Sequence, residues 1–342
     1  MKSFASDNNS GIHPQIIQAI IDANEGHAVG YGDDELTSKA DAVFRSIFGE
    51  DVKPYYVFNG TGSNVVALQA ATRSYQSIIC AATAHINTDE CGAPAKATGT
   101  VLKPVSTPDG KLTPELIARE LHGIGVQHHS QPQVVHISQS TEMGTVYSAD
   151  EVKTLCDFAH SQGMYVHMDG SRLANACAHW GIGLRELSRD CGVDLLSLGG
   201  TKNGMMMGEA VVAFHPEWNE NLMYYRKQSA QLYSKMRYLS AQYLAYFKDG
   251  LWLRNAAHAN AMAEYLADQI QHLPGVRMTQ KVEVNSLFLI LPEDVIRKML
   301  ESYFFYMWDE SANELRLVCS WDTAQSDVDA FVRLLKTLLI QS

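Results

Sequence analysis

The stretch QVVHISQSTEMGTVYSADEVKTLCDFAHSQGMYVHM, residues 133–168, contains two short apolar segments separated by a segment with helical spacing. The apolar segments at 133–138 and 164–168 predict buried strands. Ser148, followed three positions later by Glu151, predicts the start of a helix, because these side chains can cap each other's backbone N–H groups. A strand, a helix and a second strand in this order are typical of a parallel α/β sheet.

Strand and helix signals alternate in the same way on both sides of this stretch. Further strands are predicted at 54–58, 78–81, 194–198 and 210–214, and a helix at 60–71. After about residue 230 the pattern predicts helices at 231–248, 252–272 and 325–340 and strands at 284–291 and 314–319. We therefore expect an α/β fold with two domains. Residues 1–250 would form an N-terminal arm and a large domain with a mostly parallel sheet between helices, and residues 251–342 a smaller α+β domain.

Composition excludes several classes of protein. Of the 342 residues, 46% are hydrophobic and 19% are charged, and the 27 Lys and Arg against 38 Asp and Glu give a formal net charge of −11. This balance is globular, and its acidic excess argues against a nucleic-acid partner. The six cysteines lack CxxC spacing, so neither a disulfide framework nor a metal site is expected. Without a signal peptide or an apolar run of roughly 20 residues, we expect a cytoplasmic protein that does not bind membranes.

Four polar motifs follow predicted strands. The glycines of GTGS at 60–63 can expose helix N-terminal N–H groups to a phosphate. HMDGSR ends a strand with Asp169 and Arg172, GGTKNG places Lys202 beyond another, and AHINTDECGAP places His85 beyond a third. Taken singly, each motif is as well explained by a helix cap, a surface lysine or a non-catalytic histidine. Ligands of open α/β sheets bind at the carboxyl ends of the strands, where all four motifs are expected.

Together the four motifs match the needs of pyridoxal phosphate. This cofactor takes a helix N-terminus for its phosphate, a carboxylate for its ring nitrogen, a lysine for its aldehyde and a flat side chain for its ring face. A lysine among small residues beside a buried strand is a candidate Schiff-base nucleophile, because desolvation favours its neutral amine. The residue pattern therefore predicts pyridoxal 5'-phosphate as the cofactor.

With these motifs in place, the sequence resembles the low-specificity L-threonine aldolases, which are β-eliminating lyases among the fold-type-I pyridoxal-phosphate enzymes. The resemblance extends over nearly the whole chain. It is carried by YGDDEL (31–36), NGTGSN (59–64), AHINTDECGAP (84–94), STEMGTVY (140–147), HMDGSRLANA (167–176), GGTKNG (199–204) and RLVCSWDT (316–323).

The resemblance implies a role for each matching residue in holding the cofactor. Lys202 would form the covalent Schiff base, or aldimine, with pyridoxal phosphate. Asp169 would pair with the ring nitrogen, His85 would stack on the ring, and Arg172 would lie beside the cofactor. The residues implied to hold the phosphate are Gly60, Thr61 and Gly62.

The resemblance also implies how the substrate is bound. Arg172 and Arg316 would bind the carboxylate of a small amino acid, helped by Ser6. Sites of this family form at a dimer interface within tetramers, so Tyr31 would reach into a neighbouring site. A basic stretch would do the same, and its members are Arg226, Lys227, Lys235 and Arg237.

The implied reaction is cleavage of L-threonine or L-allo-threonine to glycine and acetaldehyde. One position departs from the family, because Glu142 stands where other threonine aldolases carry a second histidine near the substrate hydroxyl. A carboxylate can also accept that proton, so the base is either His85 or Glu142. The alternative function is that of another fold-type-I lyase or an aminotransferase acting on a small L-amino acid, since these share scaffold and cofactor.

Overall fold

The computed structural model describes residues 3–341. Its strands are β1 (Pro54–Val57), β2 (Gln76–Ala81), β3 (Val101–Val105), β4 (Gln131–Ser138), β5 (Tyr165–Gly170), β6 (Leu195–Gly199), β7 (Glu209–Ala213), β8 (Arg277–Met278), β9 (Ser286–Ile290), β10 (Tyr306–Asp309) and β11 (Glu314–Val318). The first seven form one sheet in the order β1-β7-β6-β5-β4-β2-β3. Strand β7 runs antiparallel to both of its neighbours, and all other pairs are parallel. The predicted α/β fold with a mostly parallel sheet is confirmed.

Helices cover both faces of this sheet and pack on the second one. They are α1 (Pro14–Asp22), α2 (Glu35–Phe48), α3 (Gly60–Ala71), α4 (His85–Thr88), α5 (Ala93–Thr98), α6 (Pro114–Ala118), α7 (Ala149–Ser161), α8 (Leu173–Trp180), α9 (Pro216–Gln228), α10 (Arg237–Phe247), α11 (Leu251–Ile270), α12 (Glu293–Leu300) and α13 (Gln325–Gln341). Among residues 3–341, no helix combines the length and the apolar character needed to cross a membrane.

Local side-chain caps explain where two central helices begin. The Asn59 Oδ1 atom accepts a hydrogen bond of 2.8 Å from the Gly62 N–H at the start of α3. At the start of α7, Ser148 Oγ accepts from the Glu151 N–H at 3.2 Å, and Glu151 Oε2 accepts from the Ser148 N–H at 2.6 Å. The predicted capping box is thus confirmed, and each cap satisfies N–H groups that lack a partner within the helix.

Several elements of the structure were not predicted from the sequence, including strands β3, β8 and β10. Strand β3 was not predicted, because Pro104 lacks the N–H that a central strand needs; β3 lies at the sheet edge and pairs with β2 alone. The helix predicted at 231–248 begins only at Arg237. The preceding segment is not helical, and its Gln231 side chain instead accepts a hydrogen bond of 3.0 Å from the Phe58 N–H.

The second sheet is antiparallel, in the order β10-β11-β9-β8. Its core is packed against α11, α12 and α13 and contains Phe4 of the N-terminal arm. Phe4 donates its N–H to Phe304 and accepts from the Val318 N–H, at 2.9 and 2.8 Å. Helix α11 also packs against α8, where Asn260 and Asn175 exchange hydrogen bonds of 2.9 Å. The domain boundary at residue 250 falls just before α11 and stays a prediction.

Candidate active site

A cleft of about 800 Å³ opens at the carboxyl ends of β2, β4, β5 and β6. Its walls combine side chains that follow these strands with others from the N-terminal arm and from β10 and β11. The cleft brings together most of the side chains that the sequence singled out: Ser6, His85, Glu142, Asp169, Arg172, Lys202 and Arg316. Residues as far apart in the chain as Ser6 and Arg316 therefore share one site.

Asp169 lies at the end of β5 and is only 5% exposed. Its Oδ2 atom accepts a hydrogen bond from Asn64 at 2.9 Å, and its Oδ1 atom accepts from the Ser171 N–H and hydroxyl at 2.9 and 2.7 Å. Burial alone would raise the pKa of Asp169. The charges of His136 and Lys202, together with these hydrogen bonds, hold that pKa well below its usual range. The carboxylate therefore stays ionised although it is buried.

Lys202 lies in the single turn of 3-10 helix Thr201–Asn203 that follows β6. Its side chain reaches the cleft. Burial lowers the pKa of the Lys202 amine, and the positive charge of Arg172 lowers it further. A lowered pKa raises the fraction of neutral amine, which is the form that attacks a carbonyl carbon.

His85 is the first residue of α4 and is held by a buried carboxylate. Its Nδ1 atom lies 2.8 Å from Glu90 Oε1, and the same oxygen accepts a hydrogen bond of 2.7 Å from Asn64. The hydrogen bond to Glu90 raises the pKa of His85, against the effect of burial. Because Asn64 also binds Asp169, one amide connects the two predicted cofactor contacts.

Glu142 lies in the loop after β4 and faces the same cleft. Its Oε1 atom accepts hydrogen bonds from the Ser138 hydroxyl at 2.6 Å and from the His85 N–H at 2.9 Å. Its Oε2 atom is buried and has no hydrogen-bond partner among the described residues. Burial raises the pKa of Glu142. A raised pKa makes this carboxylate a stronger base, and its unpartnered oxygen is available to accept a proton.

Two arginines give the cleft a positive side. Arg172 forms a bidentate ion pair with Asp7, from Nε at 2.7 Å and from Nη2 at 2.9 Å. The Arg316 guanidinium lies 5.4 Å from the centre of the Trp308 ring, and its buried Nε has no partner within residues 3–341. Ser6 caps the next turn of the arm and lines the cleft beside them. These groups can bind a carboxylate ligand.

The three residues predicted to bind the phosphate lie next to the cleft and are not among the residues that line it. Gly60, Thr61 and Gly62 form the first turn of α3. A Cβ atom on Gly60 would lie 3.8 Å from the Ser171 hydroxyl, which does line the cleft. A Cβ atom on Gly62 would overlap the Gln231 side chain at 2.4 Å. The distance at Gly60 is ordinary van der Waals contact, whereas the lack of a side chain at Gly62 lets Gln231 approach the helix N-terminus closely.

Tyr31 and the basic stretch lie away from the cleft of their own chain. Tyr31 is 55% exposed and lies under the Lys227 ammonium group, 5.4 Å from ring centre to Nζ. Arg226 packs on Tyr55, and Arg237 donates to the Glu25 carbonyl oxygen. Within the described residues, neither Tyr31 nor any of the four basic residues lines the cleft. Their contribution to a partner's site stays a prediction.

Sequence reasoning missed several buried groups behind the site. His136 and His167 lie on neighbouring strands with their Nδ1 atoms 2.9 Å apart, and burial lowers the pKa of His136 to about 4. Glu209 accepts a hydrogen bond of 3.2 Å from the Gly200 N–H beside Lys202, and burial raises its pKa to about 7. Alternating polar residues within apolar strands were the only signal of such groups in the sequence.

The residues present fit pyridoxal phosphate. The site supplies an ionised buried carboxylate, an amine with a lowered pKa and an imidazole, which are the groups that this cofactor requires. In the first turn of α3, the hydroxyl of Ser63 is buried without a hydrogen-bond partner among residues 3–341. Buried hydroxyls of this kind are expected where a further polar group binds.

Comparison with known proteins agrees with this arrangement. The sequence profile of the beta-eliminating lyases matches residues 3–293. The chain is 44% identical to the low specificity L-threonine aldolase of Pseudomonas aeruginosa, over 94% of this chain and 93% of the relative. It is 42% identical to that of a Pseudomonas species, over 96% and 95%. The structure superposes on a threonine aldolase from Leishmania major with a TM-score of 0.94 at 30% identity, covering 99% of this chain and 100% of the other.

The fold and the site together define a pyridoxal-phosphate-dependent enzyme of fold type I. More narrowly, the chain belongs to the beta-eliminating lyase family, and the two Pseudomonas relatives named above are low specificity L-threonine aldolases.

Proposed function

We propose that this protein is a lyase that cleaves L-threonine or L-allo-threonine to glycine and acetaldehyde. The observation that carries the proposal is the meeting of Lys202 and Asp169 with two arginines in one cleft. An amino-acid substrate needs both pairs of residues. Its amine reacts at the cofactor that Lys202 and Asp169 would hold, and its carboxylate needs the positive charge of the arginines.

The arginines determine which bond breaks. Arg172 and Arg316 bind the substrate carboxylate, with Ser6 as a further hydrogen-bond donor. A carboxylate bound by both guanidinium groups would be held in one orientation, which would also fix the direction of the Cα–Cβ bond relative to the bound cofactor. Orientation by these residues therefore favours loss of the side chain over loss of the carboxylate.

When bound, pyridoxal phosphate supplies a ring that withdraws electrons from the bond being broken. Lys202 would hold the cofactor covalently through Nζ. Asp169 stays ionised and would pair with a protonated ring nitrogen, which would keep the ring electron-poor. His85 would offer its imidazole face to the ring, and the N–H groups of Gly60 and Thr61 would bind the phosphate. Gly62 would border the phosphate in the same turn, because its own N–H is taken by Asn59.

The substrate hydroxyl must lose its proton as the aldehyde leaves. Two groups in the cleft can take it, the His85 imidazole and the Glu142 carboxylate. The hydrogen bonds that Glu142 accepts from the Ser138 hydroxyl and the His85 N–H use one oxygen only, so its buried Oε2 remains as the acceptor. The proton goes to that base, the Cα–Cβ bond breaks, and Cα then takes up a proton to give glycine.

We also propose that the enzyme works as an oligomer of at least a dimer, up to a tetramer, with Tyr31 contributing to the neighbouring cleft. The support is that Tyr31 is 55% exposed and lies outside the cleft of its own chain. Size-exclusion chromatography with light scattering measures the assembly, and a monomer with full activity would contradict it.

The experiment that tests the function is product analysis of the purified enzyme loaded with pyridoxal phosphate. L-threonine should yield acetaldehyde and glycine in equal amounts. Pyruvate from L-serine, or amino transfer from L-alanine, without aldehyde from threonine, would instead establish the alternative fold-type-I activity.

A further inference from the structure

The ion pair between Arg172 and Asp7 is a bidentate contact of the cleft with a buried carboxylate. Asp7 is 1% exposed, and both of its oxygens are bound by the guanidinium, at 2.7 Å from Nε and 2.9 Å from Nη2. A third donor, Asn285 Nδ2, reaches Asp7 Oδ2 at 3.1 Å. Such a carboxylate in the N-terminal arm leaves the Arg172 guanidinium one orientation only.

That orientation matters because a guanidinium is planar. Its five N–H groups lie in one plane, so two bonds to Asp7 also fix the direction of the N–H groups that remain. Those remaining groups are the ones available to a ligand, since Arg172 lines the cleft. Without Asp7, the long side chain would regain rotamer freedom, and each binding event would have to restrict it again.

The same carboxylate offsets repulsion among the cations of the cleft. Arg172 lowers the pKa values of both Lys202 and Arg316, in addition to the effect of burial on each. Burial acts to raise the pKa of Asp7, and the Arg172 charge and hydrogen bonds outweigh it, so this carboxyl group remains ionised. Asp7 therefore places a permanent negative charge behind the arginine.

We propose that Asp7 is a positioning residue, which holds the Arg172 guanidinium in the plane and direction that bind the substrate carboxylate. The proposal rests on the function proposed above. It extends that function to the N-terminal arm, because Asp7 is bound both by Arg172 after β5 and by Asn285 before β9.

A purely structural role for Asp7 must be distinguished from this one. Asn285 also donates to the Cys319 carbonyl oxygen at 2.8 Å, so a disturbed arm could disturb the whole cleft. A general disturbance of the cleft would weaken the binding of every ligand. Loss of the Arg172 orientation would weaken the binding only of ligands that carry a carboxylate.

The experiment compares Asp7→Asn with the parent holoenzyme and with Asp157→Asn, a matched change at a carboxylate that is 64% exposed. Glycine and 2-aminoethanol are titrated as ligands with and without a carboxylate, and KM and kcat are measured for L-threonine. In Asp7→Asn, we expect the glycine Kd and the threonine KM to rise about tenfold, since a charged hydrogen-bond pair is lost. The 2-aminoethanol Kd should stay within about twofold, and Asp157→Asn should match the parent.

Other outcomes overturn the proposal. An unchanged glycine Kd in Asp7→Asn, or an equal rise for both ligands, would show that Asp7 does not act through the carboxylate. If Asp7→Asn fails to fold, Asp7→Glu is tested in the same assays. We then expect a smaller rise in the glycine Kd and no rise in the 2-aminoethanol Kd. A parent enzyme that binds neither ligand nor cleaves threonine would overturn the proposed function, and this inference with it.

Discussion

Two side chains in the cleft compete for the role of hydroxyl base, and their surroundings differ. Glu90 holds His85 through Nδ1 at 2.8 Å, and the hydrogen bond raises the pKa of the imidazole. Glu142 is bound through one oxygen and keeps the other buried without a partner among the described residues. The His85 N–H donates to Glu142 at 2.9 Å, so the two candidates share one local structure.

Separate substitutions distinguish these bases. We expect the variant that removes the true base, Glu142→Gln or His85→Asn, to lose about 10²–10⁴-fold in threonine cleavage. The same variant should still exchange the α-proton of glycine, because that reaction has no hydroxyl to deprotonate. Aldehyde release and deuterium exchange followed by NMR measure the two reactions. An equal loss of both activities in each variant would exclude a specific hydroxyl base.

At the scale of elements, helices and strands position the site through their ends. Each predicted cofactor contact lies where a strand or helix starts or stops: Asp169 at the end of β5, Lys202 beyond β6 and His85 at the start of α4. Helix α7 connects β4 to β5, and its capping box sets where that connection begins. Its stability therefore supports the strand that carries Asp169.

Removing the capping hydroxyl tests this helix. Ser148→Ala loses the bond to the Glu151 N–H and should cost about 1 kcal/mol of unfolding free energy. Ser161→Ala is the matched control on the same helix, since its exposed hydroxyl donates to the Phe158 carbonyl oxygen and accepts from the Gln162 side chain but caps no helix N-terminus. We expect a change within about 0.5 kcal/mol there. Urea unfolding measures both, and equal midpoints for the two variants would contradict the capping argument.

Local sequence patterns made the fold and the reactive residues predictable. The residues that could not be predicted are those whose partners are distant in the sequence. Apolar segments and caps predicted six of the seven large-sheet strands, and motifs at their ends predicted Lys202, Asp169 and His85. Asp7 could not be predicted, because its partner Arg172 lies 165 positions away. The same is true of Asn64, which contacts Asp169 across 105 positions. Such partners become neighbours only when the whole sheet is assembled.

At the scale of the whole molecule, a buried carboxyl group behind the site makes stability depend on pH. Glu209 is 6% exposed, and burial raises its pKa from 4.5 to about 7. Between these values the folded protein keeps the proton that the unfolded chain has lost. The contribution of this group to stability therefore falls as pH rises from about 4.5 to about 7.

The variant Glu209→Gln cannot ionise and keeps an oxygen for the Gly200 N–H. Relative to the parent, it should gain about 1–3 kcal/mol of unfolding free energy between pH 5 and pH 8. Glu264→Gln, at an exposed position of α11, is the matched control and should show no such gain. Urea unfolding at both pH values measures the difference. A difference between Glu209→Gln and parent that stays constant with pH would contradict the raised pKa.

The central claim is that Lys202 is the residue that binds pyridoxal phosphate covalently. Borohydride reduction of the loaded enzyme, followed by digestion and mass spectrometry, tests it most directly. We predict one phosphopyridoxyl label, on the peptide that contains Lys202, and none in Lys202→Ala. A label on another lysine, or a reducible cofactor retained by Lys202→Ala, would contradict the account.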